Sequence, residues 1–294
     1  MKELKIPIII FLIFIGIGFW RWSASGNTFY LLNFGYIGSA ILVGGILSAV
    51  LKNKQKIHAR RLTQFLIGAY MLGFLGLIAH ENMQIEGFFF YFFSGIFGGA
   101  TLHYIIAKIV GPVYFGRAWC GWACWTAMVL DYLPWKICKS ERMNRAGLIR
   151  YIHFFFSFAL VSYLFYVIGF DAKEYKQVEI AWLLTGNAVY YILAIVLAFG
   201  FRDNRAFCKY VCPVPVTQKL TSGLAILKQE IDPEKCIECK ICEEHCPMNI
   251  KLLSYAEKNQ RVLSTECILC STCDYVCEQD AIQTTSKFDN PFHR

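Results

Sequence analysis

Two stretches of this chain repeat one cysteine phrase: Cys236-x2-Cys239-x2-Cys242-x3-Cys246-Pro247 and Cys267-x2-Cys270-x2-Cys273-x3-Cys277. Three thiolates at two-residue gaps wrap one face of an iron–sulfur cube, and the chain then leads away to a fourth cysteine. Zinc also takes four thiolates, but usually from paired Cys-x2-Cys clips, so two complete four-cysteine runs argue against it. A disulfide framework belongs to small secreted domains, and the rest of this 294-residue chain has a different character.

The stretch from Asp232 to Ile282, and that stretch alone, resembles the two-cluster bacterial ferredoxins. The resemblance implies two [4Fe-4S] clusters with crossed ligand sets. One takes Cys236, Cys239, Cys242 and Cys277; the other takes Cys267, Cys270, Cys273 and Cys246. The second run ends Cys277-Glu278 where the usual pattern has proline, which shapes the turn and ligates nothing.

Hydropathy sets the remainder. The chain is 56% hydrophobic and 17% charged, with a mean hydropathy of +0.43, the composition of a membrane protein. Apolar runs at Ile6–Trp20, Phe29–Leu51, Leu62–Ala79, Gly87–Val110, Tyr151–Phe170 and Ile180–Phe201 are each near bilayer-crossing length. The first is read as an uncleaved span; Ser23-Ala24-Ser25 after it is the mark of the alternative, a signal peptide. The net charge of +8 is read as a loop bias and not as a nucleic-acid surface. Lys52, Lys54, Lys56, Arg60 and Arg61 crowd the second loop, Arg117 to Arg150 the fourth, and Arg202, Arg205, Lys209 and Lys219 follow the last span. Alternation then places both termini and the cysteine-rich tail in the cytoplasm, with the helices crossing the inner membrane. Thirteen cysteines with cluster spacing agree with a reducing compartment.

The membrane part contains an internal repeat. Gly116-Arg117-Ala118-Trp119-Cys120-x3-Cys124 follows the fourth span, and Asn204-Arg205-Ala206-Phe207-Cys208-x3-Cys212 follows the sixth. Both phrases end a pair of spans on the same side, which makes a parallel repeat. If helical, cysteines four apart share one face, so each pair is half of a four-thiol site. Arg117 and Arg205 are placed to stabilise thiolates or an anionic cluster, and with His103 they are the cofactor-binding candidates. Three readings stay open for Cys120, Cys124, Cys208 and Cys212: a third [4Fe-4S] or other thiolate metal site, reversible disulfides, or packing.

The expected fold is a membrane all-α bundle of about six transmembrane helices with that parallel repeat, plus a small α+β two-cluster ferredoxin-like domain. Its parts are an N-terminal hairpin (1–61), the repeated helix pairs (62–215), an amphipathic connector at the membrane surface (216–230), the ferredoxin-like domain (231–283) and a tail (284–294). His103 falls in the cytoplasmic half of the fourth span and His153 opens the fifth. Such imidazoles can ligate haem or hydrogen-bond a quinone head group, and an interhelical structural role is the plainer reading for both. Lys108 is expected to snorkel. Cys138 is an odd thiol in a basic loop, and no nucleotide-binding phrase is present.

The phrase Gly116-Arg117-Ala118-Trp119-Cys120-Gly121-Trp122-Ala123-Cys124, the second Cys208-x3-Cys212-Pro213, and the double run behind them together resemble the NapH/NosR/MauN membrane polyferredoxins. The resemblance covers about Gly116 to Ile282. Members usually carry proline after both pairs; here Pro213 follows the second and Trp125 the first. What it implies is electron transfer in the membrane between a quinol or protein donor and a redox protein partner. Whether the chain is itself a quinol dehydrogenase subunit stays open. The alternative is a maturation factor that uses membrane thiols to reduce or deliver metal to a respiratory enzyme. A redox-sensing regulator is a third reading, with no effector domain visible to support it.

Overall fold

The computed structural model describes residues 2–137, 142–143, 145–171 and 176–289. Helices α1 (Lys2–Ser25) and α2 (Phe29–Val50) form a hairpin closed at Gly26–Thr28. Both are apolar all round, so small residues must bring them together. A Cβ added at Gly38 would lie 3.1 Å from the Phe14 Cβ, and one at Gly18 3.2 Å from the Tyr30 carbonyl. Helix α3 (Lys56–Ala69) continues in wider π turns through Tyr70–Ile78 and buries Arg60, Thr63 and Gln64 on its inner face.

Five helical stretches among the described residues are long and apolar enough to cross a membrane: Leu4–Ser25, Phe29–Val50, Asn53–Ile78, Arg145–Tyr166 and Gln177–Phe201. The expected fourth span, Gly87–Val110, is not one helix. Helix α4 (Ile85–Phe93) stops, the chain turns at Gly95 with φ +67°, and a new helix starts with α5 (Gly99–Tyr104). It continues as π turns over Ile105–Val110 and ends in α6 (Pro112–Phe115). The two pieces fold back on each other, since Phe88 stacks on Tyr104 with ring centroids 4.3 Å apart. Hydropathy sees one apolar run because the break is made of Ser94, Gly95, Gly98 and Gly99 between aromatic residues.

The segment before α4 dips into the bundle, with Asn82, Met83 and Gln84 all buried. Irregular backbone is stable there only if protein groups satisfy it. Asn82 N–H donates to the Tyr91 hydroxyl at 3.1 Å, Gln84 N–H to Asn82 Oδ1 at 3.2 Å, and the Lys108 ammonium to the Met83 carbonyl at 3.2 Å. Lys108 therefore does not snorkel. It is 1% exposed and lies over the rings of Tyr104 (4.2 Å) and Trp125 (5.1 Å).

Short helices α7 (Ala118–Trp122) and α8 (Trp125–Leu130) lead toward α9 (Ile149–Tyr166) and α10 (Lys176–Phe201). After α10 come α11 (Ala206–Tyr210) and α12 (Val214–Ser222). The expected surface connector is thus partly helical and packs against α6 and α9, burying Gln218 and leaving Leu220 and Leu224 exposed.

The tail folds around two antiparallel strands, β1 (Leu227–Ile231) and β2 (Ile282–Ser286), paired from Leu227↔Ser286 to Ile231↔Ile282. Between them lie α13 (Ile241–Glu244), α14 (Leu253–Glu257) and α15 (Thr272–Val276). Met248, Ile250, Leu252, Val262, Ile268 and Ile282 form its core with the cysteines, and Cys120 of the membrane part joins the same cluster.

Candidate iron–sulfur site

The two cysteine runs fold alike. Left-handed backbone recurs at matching places: Glu238 and Leu269, Lys240 and Ser271, Asn249 and Asp280. Non-glycine residues at positive φ carry strain, and it recurs at functional sites. Alternation of right- and left-handed residues turns N–H groups toward a common centre, the nest that suits an anion or an iron–sulfur cluster. Ile250 N–H points at Cys246 Sγ (3.5 Å) and Ala281 N–H at Cys277 Sγ (3.4 Å). Burial pushes the Cys267 thiol up to about 12 and Cys246 to about 11, opposed by backbone donors, so these sulfurs become stable thiolates only with a positive partner.

One cavity is lined by Cys267, Cys270, Cys273 and, from the other run, Cys246. That is the grouping the crossed assignment requires. Among the described residues no three His, Cys, Asp or Glu side chains are placed to hold a single metal ion. The twelve cysteines in the described residues are free thiols; Cys138 lies outside those residues.

The membrane phrases also fold alike, but not as single helices. Cys120 and Cys208 each sit in a one-turn helix, while Cys124 and Cys212 lie just past its end. Cys124 N–H closes on the Trp119 carbonyl at 3.1 Å, and Cys212 N–H on the Phe207 carbonyl at 3.0 Å. The expectation that each pair shares a continuous helical face is therefore corrected: the helix breaks between the two cysteines. The two phrases nevertheless converge, for one guanidinium nitrogen, Arg205 Nη1, reaches both the Cys120 carbonyl and Cys208 Sγ. The phrases end helices that both run to the cluster-bearing domain. Val113 of α6 accepts from Ile226 N–H at 3.1 Å, and Lys209 of α11 donates to Asn249.

Arg117 and Arg205 each pair with a carboxylate and also lie beside the first thiol of their own phrase, Cys120 and Cys208. Arg205 forks onto Asp131, Nε to Oδ1 and Nη2 to Oδ2, both at 2.7 Å, and Arg60 adds a bond to Asp131 Oδ2 at 2.8 Å. The third Arg205 donor, Nη1, reaches the Cys120 carbonyl at 3.0 Å and Cys208 Sγ at 3.9 Å. Arg117 meets Glu266 at 2.6 Å, and Arg142, Arg150 and Lys219 converge on the same carboxylate. Glu266 directly precedes Cys267, so four cations ring one edge of the second run. Burial would raise the Glu266 pKa, but the arginines hold it well below the usual carboxylate range. Both arginines thus pin the backbone that carries the thiols.

The two parts touch beside the cysteines. Trp122 Nε1 donates to the Leu269 carbonyl at 2.9 Å, and Cys120 shares one buried cluster with Cys246, Cys270 and Cys273, while its Sγ donates to Gln218 Oε1 of α12 at 3.1 Å. His103 packs edge-on against Trp119, ring centroids 4.6 Å apart, near the start of α5. Since α5 runs toward the cluster-bearing domain, His103 lies in the far half of its helix and not the near half, a direct result of the break at Gly95. His153 has other neighbours, the Val211 carbonyl and Tyr190. Sequence reasoning missed Glu266, Asp131 and Glu86 because an isolated acid carries no spacing signal; Glu266 beside Cys267 was the one available hint.

Residues 228–278 match the family described as 4Fe-4S dicluster domain, and residues 89–142 and 185–230 each match the 4Fe-4S binding domain family. The second match falls twice, once on each membrane phrase, as the internal repeat requires. An uncharacterized protein of Methanocaldococcus jannaschii is 29% identical over 64% of this chain and 73% of its own length. The putative electron transport protein YccM of Escherichia coli is 24% identical over 60% of the chain and 53% of its own length. The ferredoxin-type protein NapH of Haemophilus influenzae is 23% identical over 65% and 69%. No solved structure matches the chain.

Proposed function

Starting from a chain that belongs to the NapH-type membrane polyferredoxins and carries iron–sulfur clusters in a helical membrane protein, we propose that it relays electrons between a quinol or protein donor and a redox partner. Two [4Fe-4S] clusters take the crossed cysteine sets of the tail. Cys120, Cys124, Cys208 and Cys212 hold a third centre, and the tail faces the cytoplasm. Bound clusters supply one-electron carriers whose potentials depend on burial, hydrogen bonds and nearby charge. The chain's own residues position them: the nests aim N–H groups at the sulfurs, Arg205 and Arg60 hold the first membrane phrase, and the cations on Glu266 hold the second run against it.

The observation that carries this reading is the contact of Gly121 and Trp122 with Ile268 and Leu269, which sets the membrane thiols directly against the cluster-bearing loop. The test is iron content after anaerobic purification. About twelve irons are expected with all cysteines present and about eight when Cys120→Ser and Cys208→Ser are combined. Iron near zero in intact protein would end the relay reading. Full electron flow in that double variant, with a target enzyme lacking its metal, would favour the maturation reading.

A further inference from the structure

A line of buried polar side chains runs through the bundle beside the membrane thiols, and neither cluster ligation nor the arginine pairs use it. Glu86, 7% exposed at the start of α4, accepts from Ser157 Oγ at 2.7 Å and lies 3.4 Å from the Tyr190 hydroxyl. Tyr190 lies 3.2 Å from His153 Nε2, and His153 Nδ1 is 2.9 Å from the carbonyl of Val211, the residue before Cys212.

A carbonyl only accepts, so Nδ1 carries a hydrogen. Tyr190 has one O–H for two partners, and two arrangements of hydrogens fit the same heavy atoms. In the first, Tyr190 donates to neutral His153 and accepts from protonated Glu86. In the second, imidazolium His153 donates to Tyr190, which donates to ionised Glu86. The two differ by one proton moved from Glu86 to His153.

The line continues toward the end of the bundle away from the cluster-bearing domain. Asn82 Nδ2 donates to Glu179 Oε2 at 2.9 Å, and Asn82 Oδ1 accepts from Gln84 N–H. The Gln84 side chain rests on Gly186, where an added Cβ would lie 2.8 Å from its Oε1. Neither Gln84 Oε1 nor Nε2, nor Glu179 Oε1, has a hydrogen-bond partner among the described residues. Buried groups like these are costly unless water bridges them. Ionisable groups inside a membrane bundle are characteristic of proton relays.

We propose that Glu179, Asn82, Gln84, Glu86, Tyr190 and His153 form a proton path that delivers one proton to His153 for each electron accepted at the four-thiol site. This rests on reading that site as a redox centre. The electron comes from a one-electron donor, a reduced cluster of the tail or a viologen radical, and the site gains one negative charge. Glu86 passes its proton to the Tyr190 oxygen as the Tyr190 proton passes to His153 Nε2. Glu86 regains a proton from solvent at the far end, carried by water bridging the unpartnered Gln84 amide and Glu179 Oε1, so one electron and one proton arrive in all. The titratable and charged groups that set the balance are Lys108 and Tyr104 from the helix Gly99–Phe115, His153 from α9, Tyr190 from α10, and Cys212.

The test is an anaerobic redox titration of the whole protein at several pH values, with viologen as reductant, following the paramagnetic signal of the four-thiol site. The wild-type potential should fall by about 59 mV for each tenfold drop in proton activity, the mark of one proton per electron. Tyr190→Phe and Glu86→Gln should flatten that slope while iron content and the spectra of the tail clusters stay unchanged. A flat wild-type potential with all irons present, or a slope that survives both substitutions, overturns the path alone. About eight irons in place of about twelve, with no signal from the four-thiol site, overturns the redox-centre reading and the path with it.

Discussion

Gly121 approaches the carbonyl of Ile268 so closely that a Cβ built on it would lie 2.4 Å from that oxygen. The contact joins the first membrane phrase to the second cysteine run, backbone to backbone, where neither side can rotate away. Alanine at an ordinary helical position gains about 1 kcal/mol over glycine. Overpacking against fixed backbone costs about 1–3 kcal/mol. Gly121→Ala is therefore expected to lower the melting temperature and loosen the cluster-bearing domain from the bundle. Thermal unfolding followed by cluster absorbance checks this, and a variant as stable as wild type would contradict the contact.

Glu266 carries a pH prediction. Its pKa lies above 4 in the unfolded chain and well below that in the fold, because Arg117, Arg150 and Arg142 overcome the penalty of burial. Its stabilisation is complete above the unfolded value and drains away as pH falls through the folded one. Glu266→Gln leaves buried Arg117 and Arg150 without their counter-charge, a loss on the order of 3–5 kcal/mol. Near neutral pH the variant should unfold at lower denaturant than wild type, and the gap should close on acidification. A constant gap from neutral to acid pH would refute the assignment.

Crossed ligation predicts a particular pattern of iron loss. Cys246 lines the cavity of Cys267, Cys270 and Cys273. Cys246→Ser combined with Cys267→Ser should remove one tail cluster. Cys246→Ser combined with Cys236→Ser should remove both. Iron analysis of the two double variants decides between crossed and uncrossed sets, and the reverse pattern would mean uncrossed.

Lys108 is placed to act on both stability and potential. Its ammonium bonds the Met83 carbonyl and lies within electrostatic reach of Cys124, Cys120 and Cys212. Lys108→Met should cost about 1–3 kcal/mol by leaving that buried carbonyl unpaired. It should also lower the potential of the four-thiol site, because a nearby cation favours the more negative, reduced form. Denaturant unfolding reads the first effect and potentiometry the second; an unchanged potential would place the ammonium too far from the centre to matter.

The cysteine runs, the long apolar helices and the doubled Arg-Ala-aromatic-Cys phrase could be read directly, because each depends on short-range spacing that the chain carries wherever it goes. The cubes need thiols at two-residue gaps, and backbone facing lipid must be paired within its own helix. Tertiary structure alone decided the rest. It split Gly87–Val110 at Gly95, which moved His103 to the other half of its helix and drew Lys108 inward to bond Met83. It turned Arg117 and Arg205 onto Glu266 and Asp131, acids far away in sequence. The reason is that a buried charge takes the counter-charge the fold brings to it, and that partner is chosen by how helices pack, which no local pattern of residues records.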